Sequence, residues 1–384
     1  MRSLTEIRVA LVLEWFQLVG GSERVVGAIR EIFPAADIFA IVHNERDLKG
    51  TSLEGVHVRT SFIQSLPQAK EKYRLYLPLM PLAVEQFDLR PYDLVISSSH
   101  TVAKGVLTRA DQLHVSYVHT PVRYAWDLYL DYLKASKLDR GLKTLLVRPI
   151  LHYLRLWDTV ASNRVDAFFA NSESVSRRIS KLYRRTARVI YPPVEVDRYR
   201  YDRSREDFYV TVSRFVPYKR IDLIAEAFTR MGRKLVVIGD GPDRAKIEKL
   251  SGPNVELLGY QPDDVVSDYL ERARAFIFAA DEDFGIAPVE AQAAGCPVIA
   301  YGRGGALETI LGWPVPKATG VFFDSQTPES LEKAVRLFEA YEEKFDPKTC
   351  RLNAERFDKK RFSEEFETAI EELWNRFQCG EDLE

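Results

Sequence analysis

The sequence predicts an α/β protein of two doubly wound domains, each with a parallel sheet between layers of helices. Three observations support this class. Short runs of β-branched and other apolar residues alternate with longer stretches of helical periodicity. The alternation restarts after Pro192 and Pro193, which follow a strand-like segment at 188–190. The chain has 384 residues, long enough for two domains that each bury a core.

The first half begins with an apolar strand, predicted at 7–13, and a helix, predicted at 20–32, whose inner face carries apolar residues at helical spacing. Ser22 is the predicted N-cap of this helix, because a serine hydroxyl can accept a hydrogen bond from a free N–H of the first turn. Further short strands are predicted at residues 94–97, 114–118 and 167–170.

The second half shows the alternation more clearly. Strands are predicted at residues 209–212, 234–238, 255–258, 275–279 and 297–300. Helices are predicted at residues 221–231, 243–250, 263–274, 288–294 and 362–377. In doubly wound domains the ligand-binding loops follow the carboxyl ends of the strands, so we expect the active site in a cleft between the two domains.

Composition excludes several classes of protein. The net charge of -2 disfavours a globally basic nucleic-acid-binding protein. Cys296, Cys350 and Cys379 are far apart and show no CxxC or Cys/His spacing, which argues against a disulfide framework and a zinc site. The amino terminus lacks a signal-peptide pattern, and no apolar run approaches the roughly 20 residues of a transmembrane helix. We therefore expect a cytoplasmic protein.

The most informative segment is residues 281–290, which follow an apolar strand and open a helix. Glu282, in the loop, can accept hydrogen bonds from sugar hydroxyls, and Glu290, predicted near the first turn, can bind a ribose diol. Gly285 lets the backbone approach a ligand closely, and the free N–H groups at the helix start favour an anion. The alternative is a solvated loop acid at Glu282 and a helix-dipole partner at Glu290.

Asp281 and Asp283 form a D-x-D pair in the same loop, which is also a pattern of metal sites. Two carboxylates in one loop are common by chance, and no other cluster of metal-ligand residues accompanies them in the sequence. We therefore expect no metal ion.

A second informative loop follows the strand predicted at 209–212 and contains Arg214 and Lys219. The guanidinium of arginine offers a planar fork to phosphate oxygens, and the lysine ammonium is a mobile point charge. Both cations can reach one diphosphate and neutralise it without a metal ion. The alternative is a solvated basic loop.

Two features of the first half are candidates for ligand contact. Gly20 and Gly21 open the first helix and would let a phosphate or an acceptor approach backbone N–H groups, unless they form a plain βα turn. His119 ends the apolar run at 115–118, where the architecture directs side chains to the crevice; the alternative is a hydrogen-bonded structural histidine. His100 is less well placed in the pattern.

Other nucleotide-binding classes are disfavoured. The P-loop pattern GxxxxGK[ST] is absent. The Gly239-Asp240-Gly241 turn lacks the third glycine of a dinucleotide fingerprint, which disfavours a nicotinamide enzyme.

A basic and apolar stretch at 134–164, followed by a second group of cations at 177–188, has two interpretations. It can lie on an anionic membrane surface, which gives a possible peripheral membrane contact through 134–188. It can equally be a core-facing helix with a solvated basic face. Pro149 is predicted to interrupt or begin a helix there.

The two loops together resemble the signature of glycosyltransferase family 4, with an E-x7-E pattern at Glu282 and Glu290 and an upstream R-x4-K pattern at Arg214 and Lys219. Within that family the segment 119–127 (HTPVRYAWD) is most similar to bacterial mannosyltransferases of surface-polysaccharide assembly. Further matches are VIGDGP at 237–242, LGY at 258–260, AQAAGCPV at 291–298, and Gly304 and Gly305 with Glu308.

The resemblance implies the GT-B fold, in which two Rossmann-like domains face each other across a cleft. It places an acceptor-side domain at 1–192 plus a carboxyl-terminal helix at about 361–384, and a donor-binding domain at 193–360. It implies catalytic roles for His119, Arg214, Lys219 and Glu282. It implies donor-binding roles for Gly20, Gly21, Gly241, Tyr260, Phe284, Gly285, Ile286 and Glu290.

The expected reaction is retaining transfer of a hexose, with mannose from GDP-mannose as the first candidate, to a glycan or lipid-linked glycan at the inner face of the cell membrane. No cofactor or metal is expected, and the nucleotide sugar is a substrate. The alternatives are a UDP-sugar-dependent glycosyltransferase, a sugar-nucleotide epimerase of the same fold, and a non-catalytic nucleotide-sugar-binding protein.

Overall fold

The protein is described here by a computed structural model that covers residues 3–16, 20–45, 54–135 and 138–383. The chain divides into two compact units. The first is Met1–Pro193 with Phe362–Glu384, and the second is Val194–Arg361.

The first unit is Rossmann-like, with a parallel sheet of seven strands in the order β3-β2-β1-β4-β5-β6-β7. Its strands are β1 (Val9–Phe16), β2 (Asp37–His43), β3 (Val58–Thr60), β4 (Leu94–Ser99), β5 (Leu113–Val118), β6 (Ala167–Ala170) and β7 (Arg188–Val189). Its helices are α1 (Gly21–Ile32), α2 (Ala69–Lys72), α3 (Met80–Val84), α4 (Tyr129–Ala135), α5 (Leu142–Ser162) and α6 (Glu173–Tyr183).

The second unit is also Rossmann-like, with six parallel strands in the order β10-β9-β8-β11-β12-β13. Its strands are β8 (Tyr209–Val212), β9 (Leu235–Ile238), β10 (Val255–Gly259), β11 (Ala275–Phe278), β12 (Val298–Tyr301) and β13 (Gly320–Phe323). Its helices are α7 (Ile221–Met231), α8 (Arg244–Leu250), α9 (Asp263–Arg272), α10 (Ile286–Ala293), α11 (Ala306–Thr309), α12 (Pro328–Ala340) and α13 (Pro347–Ala354).

The last helix, α14 (Lys359–Gln378), lies mostly in the first unit. Its apolar stripe, which includes Phe362, Phe366 and Ile370, is buried in the core formed by α1 and one face of the first sheet. The other face of this sheet carries a second core, so alternate residues of β1 enter different cores. Burial on both faces explains the near-continuous apolar runs of the strands.

Each sheet has one switch point, where successive strands change the direction in which they are added. In the first unit the switch lies between β1 and β4, and in the second it lies between β8 and β11. In open α/β sheets, ligands bind outside the carboxyl ends of the strands at such a point. The loops that follow these four strands are therefore where site residues are expected.

Several elements differ from the sequence prediction. Strands β2, β3 and β13 are absent from it. Strands β2 and β13 are short, mostly buried apolar runs without a periodicity that separates them from a helix, and β3 is only three residues long, two of them exposed, at the edge of the sheet. The prediction that Pro149 interrupts or begins a helix is wrong, since it lies inside α5. Pro149 is exposed, so water can hydrogen-bond the carbonyl that its missing N–H leaves without a partner.

The predicted N-cap of α1 is also wrong. The cap residue is Gly20, and Ser22 lies inside the helix. The carboxylate of Glu23 takes the capping role, because its Oε2 accepts the N–H of Gly20 at 3.0 Å and the Ser22 hydroxyl at 2.8 Å. Burial raises the pKa of Glu23.

Candidate functional site

Two loops flank the switch point of the second unit, one after β8 and the other after β11. The ammonium of Lys219, in the first loop, pairs with Oε1 of Glu282, in the second. The two side chains are 18% and 21% exposed, so a ligand at the surface can still reach them. The structure therefore brings together two of the four predicted catalytic residues from loops that are distant in the sequence.

Arg214 lies in the same loop as Lys219. Its side chain is exposed and has no hydrogen bond or ion pair among the residues that the structure describes. The backbone around it is held firmly, because the N–H of Ser213 donates to Ile238 O at 3.0 Å and the N–H of Phe215 donates to Asp240 O at 2.9 Å. A fixed backbone with an unpaired guanidinium suits an anionic ligand.

Glycines let the neighbouring loop after β9 approach this backbone. Gly239 has a φ of +136°, and a Cβ there would lie 1.8 Å from Ser213 O. A Cβ at Gly241, a predicted donor contact, would lie 2.5 Å from Phe215 O. Glycine is thus required at both positions by packing of the Arg214 loop, whatever further contact Gly241 makes.

The backbone of the Glu282 loop is held by the loop after β12. The N–H of Gly305 donates to Glu282 O at 2.8 Å. Gly304 has a φ of +59°, and a Cβ there would lie 2.1 Å from the same oxygen. Phe284 anchors the loop from the other side, since it is 3% exposed and packs edge-on against Phe357 at 5.4 Å between ring centroids.

The structure corrects the predicted position of Glu290. Helix α10 begins at Ile286, after Gly285 in a left-handed conformation with φ of +86°, so Glu290 is its fifth residue and lies beyond the first turn. The predicted start at Pro288 was too late. Pro288 lies in the first turn, where its missing N–H needs no intrahelical partner. Glu290 is partly buried on α10.

Tyr260, another predicted donor contact, follows β10 and is 76% exposed. Asp281 and Asp283, the D-x-D pair, are partly buried and both interact with other groups of the protein. Within the described ranges, no three His, Cys, Asp or Glu side chains are grouped as a metal site would require.

In the first unit, His119 follows β5 at the carboxyl edge of the sheet. Its Nε2 lies 2.7 Å from the Ser98 hydroxyl, and its carbonyl accepts a hydrogen bond from the Asn171 amide at 2.9 Å. Burial lowers the pKa of His119 to about 3, and the charge of His100 acts in the same direction. The ring is therefore neutral at physiological pH.

The prediction gave His100 little weight, and the structure corrects this. His100 follows β4, and its ring centroid lies 6.3 Å from that of His119. Its Nδ1 is 3.0 Å from Oε2 of Glu14, an acid on β1 that is 1% exposed. The pair bridges the switch point of the first unit. Sequence reasoning missed Glu14, although an acid inside an apolar strand signals a buried charge that needs partners.

The segment 119–127, which carries the finer resemblance, is anchored to α5 by a buried acid. Asp158 accepts hydrogen bonds from Trp126 Nε1 at 2.8 Å and Tyr183 Oη at 3.0 Å, and it pairs with Lys104. Lys104 and Asp158 are both almost fully buried. Trp126, in the segment 119–127, therefore has a structural role in this buried cluster, whatever its part in substrate binding.

Helix α5 buries Leu151 and Leu154, but its outer face is also apolar. The stretch is therefore core-facing on one side, as one interpretation predicts, and its exposed side carries apolar residues as well as the cations Lys143 and Arg148. The exposed apolar residues of α5 are Leu145 (72%), Leu146 (68%), Tyr153 (45%), Leu156 (57%) and Val160 (57%). Lys137, part of the predicted stretch, lies outside the described residues. No helix in the part of the chain described is long and apolar enough to cross a membrane.

Comparison with known proteins gives two family matches. Residues 19–198 match the profile described as Glycosyltransferase Family 4, and residues 197–355 match the profile described as Glycosyl transferases group 1. An uncharacterized glycosyltransferase of Methanocaldococcus jannaschii is 28% identical over 206 residues, which cover 52% of this chain and 56% of that protein. The chain thus spans just over half of that relative's length.

Solved structures of similar fold cover nearly the whole chain. Anabaena HepE in complex with UDP has a TM-score of 0.66 at 14% identity, over 96% of this chain and 100% of that one. Sucrose-phosphate synthase from Thermosynechococcus elongatus has a TM-score of 0.70 at 15% identity, over the same shares of the two chains. At these identities the likeness concerns the fold alone. The two family matches together span residues 19–355, so the chain consists of a glycosyltransferase family 4 segment followed by a glycosyl transferases group 1 segment, and its two Rossmann-like sheets have the GT-B fold class.

Proposed function

We propose that this protein transfers a hexose, with retention of anomeric configuration, from a nucleotide diphosphate sugar to a hydroxyl of a glycan or lipid-linked glycan. The observation that carries the proposal is the pairing of Lys219 with Glu282 across the switch point of the second unit, in the loop that also presents the unpaired Arg214. Cations for a diphosphate and an acid for sugar hydroxyls are what such a donor requires.

In the proposed reaction the bond from the anomeric carbon to the phosphate oxygen breaks, and its electron pair leaves with the nucleoside diphosphate. The acceptor oxygen bonds to the same carbon, and its proton passes to the departing phosphate. Charge grows on that phosphate in an oxocarbenium-like transition state. Arg214 and Lys219 would therefore stabilise the transition state more than the bound substrate.

The other predicted residues have positioning roles in this proposal. Glu282 and the backbone of Phe284–Ile286 hold the sugar, and Glu290 holds the ribose. His119 is neutral, so it can exchange hydrogen bonds with the sugar near the reacting carbon without adding charge.

Mannose from GDP-mannose is the donor we propose first, on the resemblance of the segment 119–127 to bacterial mannosyltransferases. A UDP-sugar is the specific alternative, because Anabaena HepE was also solved with UDP-glucose. A thermal-shift screen of GDP- and UDP-sugars distinguishes them, since a ligand that binds the folded state raises apparent stability. Product analysis after incubation of the same donors with and without acceptors separates transfer from epimerisation. If no acceptor leads to release of nucleoside diphosphate, the protein binds the donor without catalysing transfer.

We propose that the transfer needs no metal ion, because two cationic side chains are available for one diphosphate. We expect EDTA to leave turnover unchanged within about twofold. An enzyme that depends on a metal ion would instead lose several kcal/mol of transition-state stabilisation when the ion is removed. The measurement is nucleoside diphosphate release before and after chelation. The proposal would be contradicted if chelation removed the activity and magnesium or manganese restored it. In that case Asp281→Asn or Asp283→Asn should abolish the metal-dependent activity.

We also propose that the exposed apolar face of α5 contacts an anionic membrane surface at the inner face of the cell membrane. The exposed charges on α5, Lys143 and Arg148, are both positive, and its one acid, Asp158, is buried. Exposed apolar residues beside cations are typical of helices that lie in the plane of a bilayer interface.

We expect wild-type protein to sediment with vesicles that contain anionic phospholipid, and the double variant Leu145→Glu/Leu156→Glu to bind at least tenfold more weakly. Burying each leucine is worth roughly 1.5–3 kcal/mol, and added negative charge opposes the lipid. Leu352→Glu is the matched control, because Leu352 is a similarly exposed leucine (54%) on α13 of the second unit. Equal binding of the double variant and the control would rule out this surface.

A further inference from the structure

The acid–histidine pair at the switch point of the first unit has no part in the transfer proposed above. Glu14 is held by donors from the segment after β4. Its Oε1 accepts the N–H groups of His100 at 3.1 Å, Thr101 at 2.8 Å and Ala103 at 2.9 Å, and the Ser99 hydroxyl at 3.1 Å. The carboxylate is thus fixed in one position, with its second oxygen on the His100 ring.

The His100 ring has one nitrogen to spare. Nδ1 is engaged by Glu14 at 3.0 Å, whereas Nε2 has no hydrogen-bond partner within the described residues. The side chain is 24% exposed, so the ring is accessible from solvent. Its orientation is restricted by an edge-to-face contact with Trp15, with ring centroids 4.4 Å apart.

The charged groups around the ring favour an imidazolium. Burial alone would lower the pKa of His100, but the charge and hydrogen bond of Glu14, together with the charge of Glu23, raise it. Glu23 on α1 acts in the same direction, and Arg74 opposes it. Neighbouring His119 is neutral. Burial would raise the pKa of Glu14, yet the charge of His100 and the hydrogen-bond donors hold it well below its usual range.

We propose that His100, held by Glu14, donates its Nε2 hydrogen to a phosphate oxygen of a substrate bound at the switch point of the first unit. A charged N–H donor left without a protein acceptor forms short, strong hydrogen bonds with anionic oxygens. The carboxyl edge between β1 and β4 is where an open α/β sheet binds ligands. The inference rests on the proposed function, and the phosphate can belong to the sugar donor or to a phosphate-bearing acceptor.

The kinetic test compares pH profiles of wild type, Glu14→Gln and His100→Gln. Because the neighbouring Glu14 carboxylate favours the protonated His100 ring, we expect kcat/KM of wild type to fall on the alkaline side as the ring loses its proton. Glu14→Gln removes the charge that favours the proton, so this alkaline limb should move to lower pH by about one unit or more. His100→Gln keeps a neutral N–H donor, so we expect a roughly tenfold to hundredfold lower kcat/KM without that limb.

His152→Gln is the matched control, because His152 is exposed on α5 and should leave the profile unchanged. A rise in KM for the sugar donor assigns the phosphate to the donor, and a rise in KM for the acceptor assigns it to the acceptor. An unchanged alkaline limb in both Glu14→Gln and His100→Gln, with wild-type KM values, would overturn the proposal.

A second measurement does not depend on activity. NMR titration of the His100 ring resonances should show a pKa above that of an ordinary histidine in wild type and a lower one in Glu14→Gln. Inorganic pyrophosphate should shift the same resonances in wild type. If no donor is turned over, the proposed function fails, whereas the pyrophosphate titration still decides the role of His100. Resonances that are unaffected by pyrophosphate would contradict that role.

Discussion

Arg214→Ala is expected to lower turnover about 10²–10³-fold, the scale on which an enzyme loses one preorganised donor to a developing negative charge. The guanidinium is exposed and has no protein partner in the described part of the chain, so its removal leaves no buried group unsatisfied. We therefore expect the melting temperature to change little. The measurement is kcat from nucleoside diphosphate release at saturating donor.

Two further variants sharpen this test. Arg214→Lys keeps the charge but loses the planar fork, so it should recover only part of the lost rate. Arg336→Ala removes another exposed arginine, on α12, and should behave as wild type. Activity of Arg214→Ala within tenfold of wild type would refute the proposed contact with the diphosphate.

Gly304→Ala is expected to destabilise the protein and to lower turnover at least about 10²-fold, because it displaces the loop that carries Glu282. A Cβ at this position would lie 2.1 Å from Glu282 O and 2.9 Å from an oxygen of Asp281. Relieving such overlap costs about 1–3 kcal/mol. The left-handed backbone, with a φ of +59°, adds about 1–2 kcal/mol for any residue with a Cβ. Misplacing a substrate-positioning group by about 1 Å can cost 10²-fold in rate.

Gly232→Ala separates the two contributions. Gly232 ends α7 with a φ of +67°, but a Cβ there would have no neighbour within 4 Å. It should show the backbone strain alone, with turnover close to that of wild type. Unfolding free energies from denaturant titration and kcat for both variants complete the comparison. If Gly304→Ala lost no more stability than Gly232→Ala and kept full activity, the expected displacement of the Glu282 loop would be ruled out as a cause of lower turnover.

The candidate site residues of the second unit were predictable because they lie in short contiguous segments of the sequence. The Arg214 loop and the segment 281–290 each sit between a strand and a helix, where periodicity changes. The precise position of Glu290 was not predictable, since the start of α10 depends on Gly285 adopting a left-handed conformation. The sequence shows that a glycine is present at 285. Only the backbone of the folded protein shows that this glycine adopts the left-handed conformation.

The outer face of α5 shows the same limit. The sequence of α5 contains both apolar and basic residues at helical spacing. Pro149 made the sequence pattern indicate a helix boundary where the helix in fact continues. Which apolar residues are buried depends on where β-sheet and neighbouring helices lie. Leu151 and Leu154 are buried and Leu156 is exposed, although all three are leucines of one helix.

The α/β class, most of the strand and helix segments of the second half, and the residue types suited to a diphosphate and a sugar follow from the amino-acid pattern alone. Which of those residues meet depends on the tertiary fold. Lys219 pairs with Glu282, and His100 with Glu14, because each sheet adds its strands in both directions from a central pair. That order of strands is set by long-range packing, so it brings together the ends of strands that are far apart along the chain.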